Sequence, residues 1–339
     1  MSSAETRKVQ LTGGATYIIS LPKQWAEGAG LRPGSELQLL PQDQYSLLLY
    51  TSTSPEAAPL SESRLAVAPE TPTEDIVRDF IAQYLAGFDI IHVDLEHIRV
   101  DQRVPLKEAI RHLLIGTEVV TETAREITVQ CFLGQANLPL LSALERMGSL
   151  VRSLQKDAVT ALLEGDRRLA EEVVQRDTEV DRFYFYIIRQ LTSAIGRSDR
   201  IQKIGISSPR ACLSYRLAVK SIERAGDHAT RIADIARVTT PVPKSNVANS
   251  LLKMHNLADS VFKDALQALH TFDVPLAHST IRRIPEVRHL EERSIRELLG
   301  GEYPVETVLN LRLALESFRR ISEYGSDIAE TSLNLSVER

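Results

Sequence analysis

The sequence predicts a mainly α protein, built as two consecutive three-helix bundles behind a small β domain and a short α/β connector. Three observations carry that expectation. β-forming stretches dominate up to residue 52, and helical periodicity dominates from about residue 73. A Pro/Ser/Ala/Glu-rich stretch, STSPEAAPLSES, separates the two regimes and reads as a linker. From about residue 145 the chain repeats its own pattern. The expected domains are therefore residues 1–52, a linker and connector over 53–144, a first bundle over 145–245 and a second over 246–339.

Each element has a local reason. KVQLTGGATYIISLP predicts two strands around a Gly13-Gly14 turn, KQWAEGAG a short helix, and SELQLLPQ and SLLLYTS two further strands. In the connector, FDIIHVDLE alternates Ile90, His92 and Asp94 with Ile91, Val93 and Leu95, which predicts a strand. KEAIRHLLIGTEVVTETAREITVQCFL places apolar residues at three- and four-residue steps and predicts one long helix.

The duplication has two offsets. YRLAVKSIERAGDHATRIADIA aligns with LRLALESFRRISEYGSDIAETS at 96 residues, pairing Arg216 with Arg312, Ser221 with Ser317 and Arg224 with Arg320. SLQKDAVTALLEGD aligns with SVFKDALQALHTFD, and RDTEVDRFYFYIIRQL with RIPEVRHLEERSIREL, at 107. Each copy thus holds three helices in the same order, and the link before the third is 11 residues shorter in copy two. Short-linked amphipathic helices favour antiparallel bundles.

Several function classes are excluded or disfavoured. A net charge of −5 gives no whole-chain nucleic-acid signature. The only cysteines, Cys131 and Cys212, lack a CxxC spacing and imply a reducing compartment. No apolar run approaches the roughly 20 residues that span a bilayer, and MSSAETRK has no signal-peptide core, so a cytoplasmic location is expected. P-loop, GxGxxG and GxSxG motifs are absent, and the histidines lack ligand spacing. No catalytic residue is assigned, and the chain is expected not to be an enzyme. A di-metal phosphate-handling enzyme, the alternative, would need a general base beside its metal, and none is visible.

The chemistry concentrates in copy one. Asp177 with Asp181, and Glu223 with Asp227, stand at i,i+4, which puts each pair on one helix face with Cβ atoms about 5–6 Å apart. Asp177 and Asp181 fall within the apolar stripe Val173, Val174, Val180, Tyr184, Ile187, Ile188, Leu191. Carboxylates on a buried side need a cation or a proton. Two neighbouring helices could converge all four on one oxygen-rich site, suited to magnesium, manganese or iron more than to a thiolate-loving metal. His228 lies about 100° around the helix from Asp227, a bystander or occasional extra ligand. In copy two the matching positions are Ile284, Arg288, Arg319 and Glu323, so protein-borne positive charge is expected to replace the ion there, with Glu323 as its partner.

The duplicated bundle and its SIERAGDHATRIADIA segment resemble the PhoU family of phosphate-signalling regulators over roughly residues 145–336. The resemblance implies metal clusters bound through E(D)xxxD motifs, hence metal at Asp177, Asp181, Glu223 and Asp227, with iron, magnesium, manganese or zinc as the ion. It also implies work with the phosphate ABC transporter and a sensor kinase, at most peripherally to a membrane. RKVQLTGGATYIISLPKQWAEGAGLRPGSELQLL is similar to AbrB/SpoVT (MazE-like) swapped-hairpin domains, which are homodimeric DNA binders. That likeness implies a homodimer and DNA contacts at Arg7, Lys8 and Lys23. The segment is formally neutral, so the domain either reads promoter DNA or only dimerises. The two domains in this order resemble the archaeal phosphate-uptake-regulator arrangement.

Overall fold

In the computed structural model, Gly13 and Gly14 adopt φ values of +63° and +78°, a left-handed conformation that costs glycine little. They turn the chain between β1 (Gln10–Thr12) and β2 (Thr16–Ile18), paired antiparallel with Thr12 opposite Thr16. Helix α1 (Lys23–Gly28) follows, then a second antiparallel pair, β3 (Leu37–Pro41) and β4 (Leu47–Thr51). The expected order of elements holds throughout this region. The structure describes residues 5–41, 44–51, 60–132, 138–195, 201, 203–206, 208–240 and 242–337. Residues 52–59, most of the expected linker, lie outside them.

Residues 60–339 form a second unit. It opens with a four-stranded sheet ordered β5-β6-β8-β7. β5 (Glu62–Leu65) runs parallel to β6 (Ile90–Asp94), joined through α2 (Thr73–Ala86); β8 (Glu126–Cys131) pairs antiparallel with both β6 and β7 (Thr117–Glu122). Leu65, Ile91, Val93, Ile127, Val129 and Cys131 bury one face together with Ile76, Phe80 and Tyr84 of α2. Arg64, His92, Glu126 and Thr128 occupy the other face, where His92 Nδ1 lies 2.7 Å from Glu126.

The sheet corrects two expectations. β5 begins inside the stretch read as linker. The single long helix over residues 107–133 is instead α3 (Val100–Glu108), one π turn (Ala109–Leu113) and the β7–β8 hairpin. Gly116, at φ +76°, ends the helical part. Beyond it TEVVT and EITVQC are rich in β-branched residues. Ile127, Val129 and Cys131 are buried at a spacing of two, so tertiary burial selects the strand period over the helical one.

The helices follow the duplication. Copy one comprises α4 (Leu140–Glu164), α5 (Arg167–Ile195) and α6 (Ala211–Val238). Copy two comprises α7 (Ser245–Thr271), a second helix divided into α8 (Val274–Ile281) and α9 (Ile284–Leu299), and α10 (Val305–Val337). Pro285 in the first turn of α9 removes a backbone donor at the break. One continuous core runs through both copies, from Leu140 to Leu335.

Equivalent residues repeat the same contacts. Arg176 donates to Asp157 at 2.7 Å and to Ser153 at 3.1 Å; 107 residues on, Arg283 donates to Asp264 at 2.9 Å and to Ser260. Asp166 caps α5 through the Leu169 amide and Asp273 caps α8 through that of Leu276. Other equivalents face each other. Arg152 of α4 holds Asp259 of α7 bidentately at 2.7 and 2.8 Å, and the rings of His228 and Tyr324 stand 5.8 Å apart between α6 and α10. An approximate two-fold relation therefore links the copies.

Arg189 fixes the sheet to the first bundle. Its guanidinium is buried, stacks 4.7 Å from the centre of the Tyr84 ring, and donates to the carbonyls of Tyr84 and Phe88. Those carbonyls lie at the C-terminal, partially negative end of α2. Gly87 ends that helix at φ +95°, where an added Cβ would stand 3.0 Å from Ser193 Oγ. No described helix is long and apolar enough to cross a membrane.

Candidate functional site

The two acid pairs stand on α5 and α6, which pack against each other. Val173, Val180, Ile187, Ile188 and Leu191 are buried along α5, and Asp177 and Asp181 are half-buried beside them. On α6, Gly226 faces α5: a Cβ there would stand at ordinary contact distance, 3.4 Å from Val180 Cγ1 and 3.7 Å from Asp177 Oδ1. Asp177 thus lies directly across from the turn that carries Glu223 and Asp227.

Burial and like charge act together on three of the four acids. Burial pushes Asp181 up to about 7, reinforced by the carboxylates of Asp177, Glu223 and Asp227. Asp227, the most open of the four, is pushed up to about 6 by burial and then by Glu223 and Asp177. Asp177 is raised by burial, moderated by the Thr230 hydroxyl, and raised further by Glu223. Charge from neighbouring acids therefore adds to burial at Asp177, Asp181 and Asp227, as like charges in one site do.

A single ammonium stands among them. Lys220 Nζ lies 2.6 Å from both oxygens of Glu223 and 5.1 Å from the centre of the Tyr184 ring. Among the described residues, no three Asp, Glu, His or Cys side chains stand in metal-ligating geometry. The donor chemistry fits a hard, oxygen-preferring cation, and four carboxylates exceed the one ammonium. His228 faces away, against Tyr324, and burial and then Arg231 and Arg320 push it down to about 4, leaving it neutral near pH 7.

Copy two has the expected guanidinium chemistry. Arg319 pairs with Glu323 at 2.7 Å and with Glu291 at 2.9 Å, and Glu323 also receives Arg320 at 2.8 Å and Arg288 at 3.7 Å. Burial would raise Glu323, but the Arg319 and Arg320 guanidiniums outweigh it and hold the carboxyl below its usual range.

In the β domain, Arg7 and Lys8 precede β1 and Lys23 is the first residue of α1; all three are exposed. Arg7 pairs with Glu5, and Lys23 stands 3.7 Å from Glu27. Among the residues of this domain whose exposure the structure describes none is buried, and Val9, Leu11, Tyr17, Ile19 and Leu39 are each more than half exposed. Sequence reasoning missed Lys220, Gly226 and Arg189. Only Lys220 left a local signal, three residues ahead of Glu223 in KSIE.

The fold and this site define a class: a duplicated three-helix bundle with an acid-lined interface in its first copy. The PhoU domain model matches residues 144–236 and 251–332, one span in each copy, and the chain belongs to the PhoU family. The model described as antidote-toxin recognition MazE, bacterial antitoxin, matches residues 10–55, so the β domain is MazE/AbrB-like. A phosphate-specific transport system accessory protein PhoU homolog from Pseudomonas putida is 28% identical over 201 residues, 57% of this chain and 76% of that protein. The protein of the same description from Caulobacter vibrioides is 38% identical over 96 residues, 28% of this chain and 39% of that one. The crystal structure of PhoU from Pseudomonas aeruginosa superposes with a TM-score of 0.51 at 26% identity, covering 59% of this chain and 96% of that one.

Proposed function

We propose that this protein is a regulator of phosphate uptake that binds metal through Asp177, Asp181, Glu223 and Asp227. The observation that carries the reading is the family match over both copies, joined to four mutually repelling carboxylates at one helix interface. Relatives described as accessory proteins of the phosphate-specific transport system support a regulatory rather than enzymatic role beside that transporter; a sensor kinase as partner and the cytoplasm as location belong to the same proposal. A bound cation, whether iron, magnesium, manganese or zinc, supplies the positive charge that the four acids lack. The four acids would hold it from two helices, so loading would stiffen the α5–α6 pair and bias which partner the bundle receives. Elemental analysis of the wild type against Asp181→Asn/Asp227→Asn tests the site: metal is expected in the first only, and equal contents reject it.

The β domain is the proposed homodimerisation element. Isolated two-strand pairs are marginal on their own, and a second copy would cover the exposed Val9, Leu11, Tyr17, Ile19 and Leu39. A DNA-reading role would use Arg7, Lys8 and Lys23. The ion pairs of Arg7 and Lys23 favour a second reading, in which the domain only dimerises. Binding to promoter fragments at two salt concentrations separates them, because phosphate contacts weaken steeply with salt. Loss of Lys8 and Lys23 should abolish DNA binding if the first reading holds.

A further inference from the structure

Lys220 and its surroundings are charge-reversed between the copies. At the 96-residue offset, Lys220 and Glu223 correspond to Glu316 and Arg319, and each pair is in contact, at 2.6 and 3.9 Å. At the 107-residue offset Tyr184, under the Lys220 ammonium, corresponds to Glu291, which binds Arg319. In copy two the cation is a guanidinium held by three carboxylates, Glu291, Glu316 and Glu323. In copy one the cation is an ammonium on a flexible stem that bonds only Glu223 of the four acids. Its side chain is 40% exposed, whereas that of Glu223 is 13% exposed. Arg224 does not take its place, since that guanidinium lies over the Tyr324 ring.

The geometry points to Lys220 as a resident counter-cation, which a metal ion displaces when it takes Glu223 together with Asp177, Asp181 and Asp227. The inference rests on the metal-binding reading above. A compact, strongly hydrated ammonium at the rim of the site leaves toward water at little cost. A divalent ion brings twice its charge and accepts several oxygens at once. Lys220 neutralises Glu223 until that exchange occurs, so it sets the metal concentration at which the site loads. Copy two, with its cation tied on several sides, is closed to such exchange.

Titrating the metal-free full-length chain with Mn²⁺, and following the free aquo ion by electron paramagnetic resonance, tests this. Lys220→Gln is expected to lower the Kd at least about tenfold, because a competing charge is gone. Lys220→Arg is expected to raise it, because a fork of donors grips the carboxylate more firmly. As a second readout, the thermal midpoint of metal-free Lys220→Gln should fall below that of the wild type and rise further on adding Mn²⁺. One Kd shared by all three proteins, with binding lost in Asp181→Asn/Asp227→Asn, would overturn the role of Lys220 and leave the metal site standing. No Mn²⁺ uptake by the wild type or by Lys220→Gln would overturn both.

Discussion

In a chelating buffer the protein should lose stability as pH rises from 5 to 8, against the usual behaviour of aspartates. The folded-state value of Asp181 is raised, so between about pH 4 and 7 the folded chain holds a proton that the unfolded chain releases. Stability therefore falls through that window and levels off above it. Raising Asp181 from 3.8 to about 7 corresponds to about 4 kcal/mol withdrawn by pH 8. Asp227 is more exposed, and solvent screening limits its share to about 1 kcal/mol. The acids titrate as a coupled set, so the profile belongs to the group. Urea unfolding in a chelating buffer, followed by far-ultraviolet circular dichroism at several pH values, measures it. Asp181→Asn keeps the shape without the charge. It should flatten the profile and exceed wild-type stability at pH 8 while matching it near pH 4. Parallel profiles for the two proteins would refute the assignment of four converging carboxylates.

Three other outcomes follow from the packing. Gly325→Ala would put a Cβ 3.1 Å from Val261 Cγ1 and 3.3 Å from the Phe262 backbone, which should cost about 1–3 kcal/mol; Gly226→Ala meets only 3.4 Å contacts and should stay within about 1 kcal/mol of wild type, both read by urea unfolding. Arg189→Met strands the Phe88 carbonyl and leaves that of Tyr84 with the Gly87 amide alone, and should cost about 1–3 kcal/mol and accelerate amide exchange in α2. A double-mutant cycle on Arg152 and Asp259 should return a coupling of about 1 kcal/mol, since the pair is bidentate but only partly buried.

What the sequence discloses here depends on whether a residue's partner is near or far along the chain. Helical periodicity is local, and the duplication repeats it, so six helical segments are legible, with only the break before Ile284 left to Pro285 and tertiary packing. The Gly13-Gly14 turn announces its hairpin for the same reason. Residues 107–133 mislead because Val119, Val120, Ile127 and Val129 satisfy helical and strand spacings alike, and only pairing with β6, far away in sequence, decides between them. The i,i+4 acid pairs are visible because one helix turn relates them. That Gly226 packs opposite Asp177, that Lys220 reaches between Glu223 and Tyr184, and that Arg189 ends at α2 all depend on neighbours from other helices.

The Arg152–Asp259 bridge has a consequence for how such a molecule must be encoded. In a pair of identical subunits, this spot would set arginine against arginine or aspartate against aspartate, a repulsion in either case. Opposite signs there require halves that differ, and tethering them in one polypeptide guarantees that each cationic half always meets its anionic counterpart. Freed from the need to look alike, one half can keep an opening for an outside ion and the other can fill the same place with its own side chains.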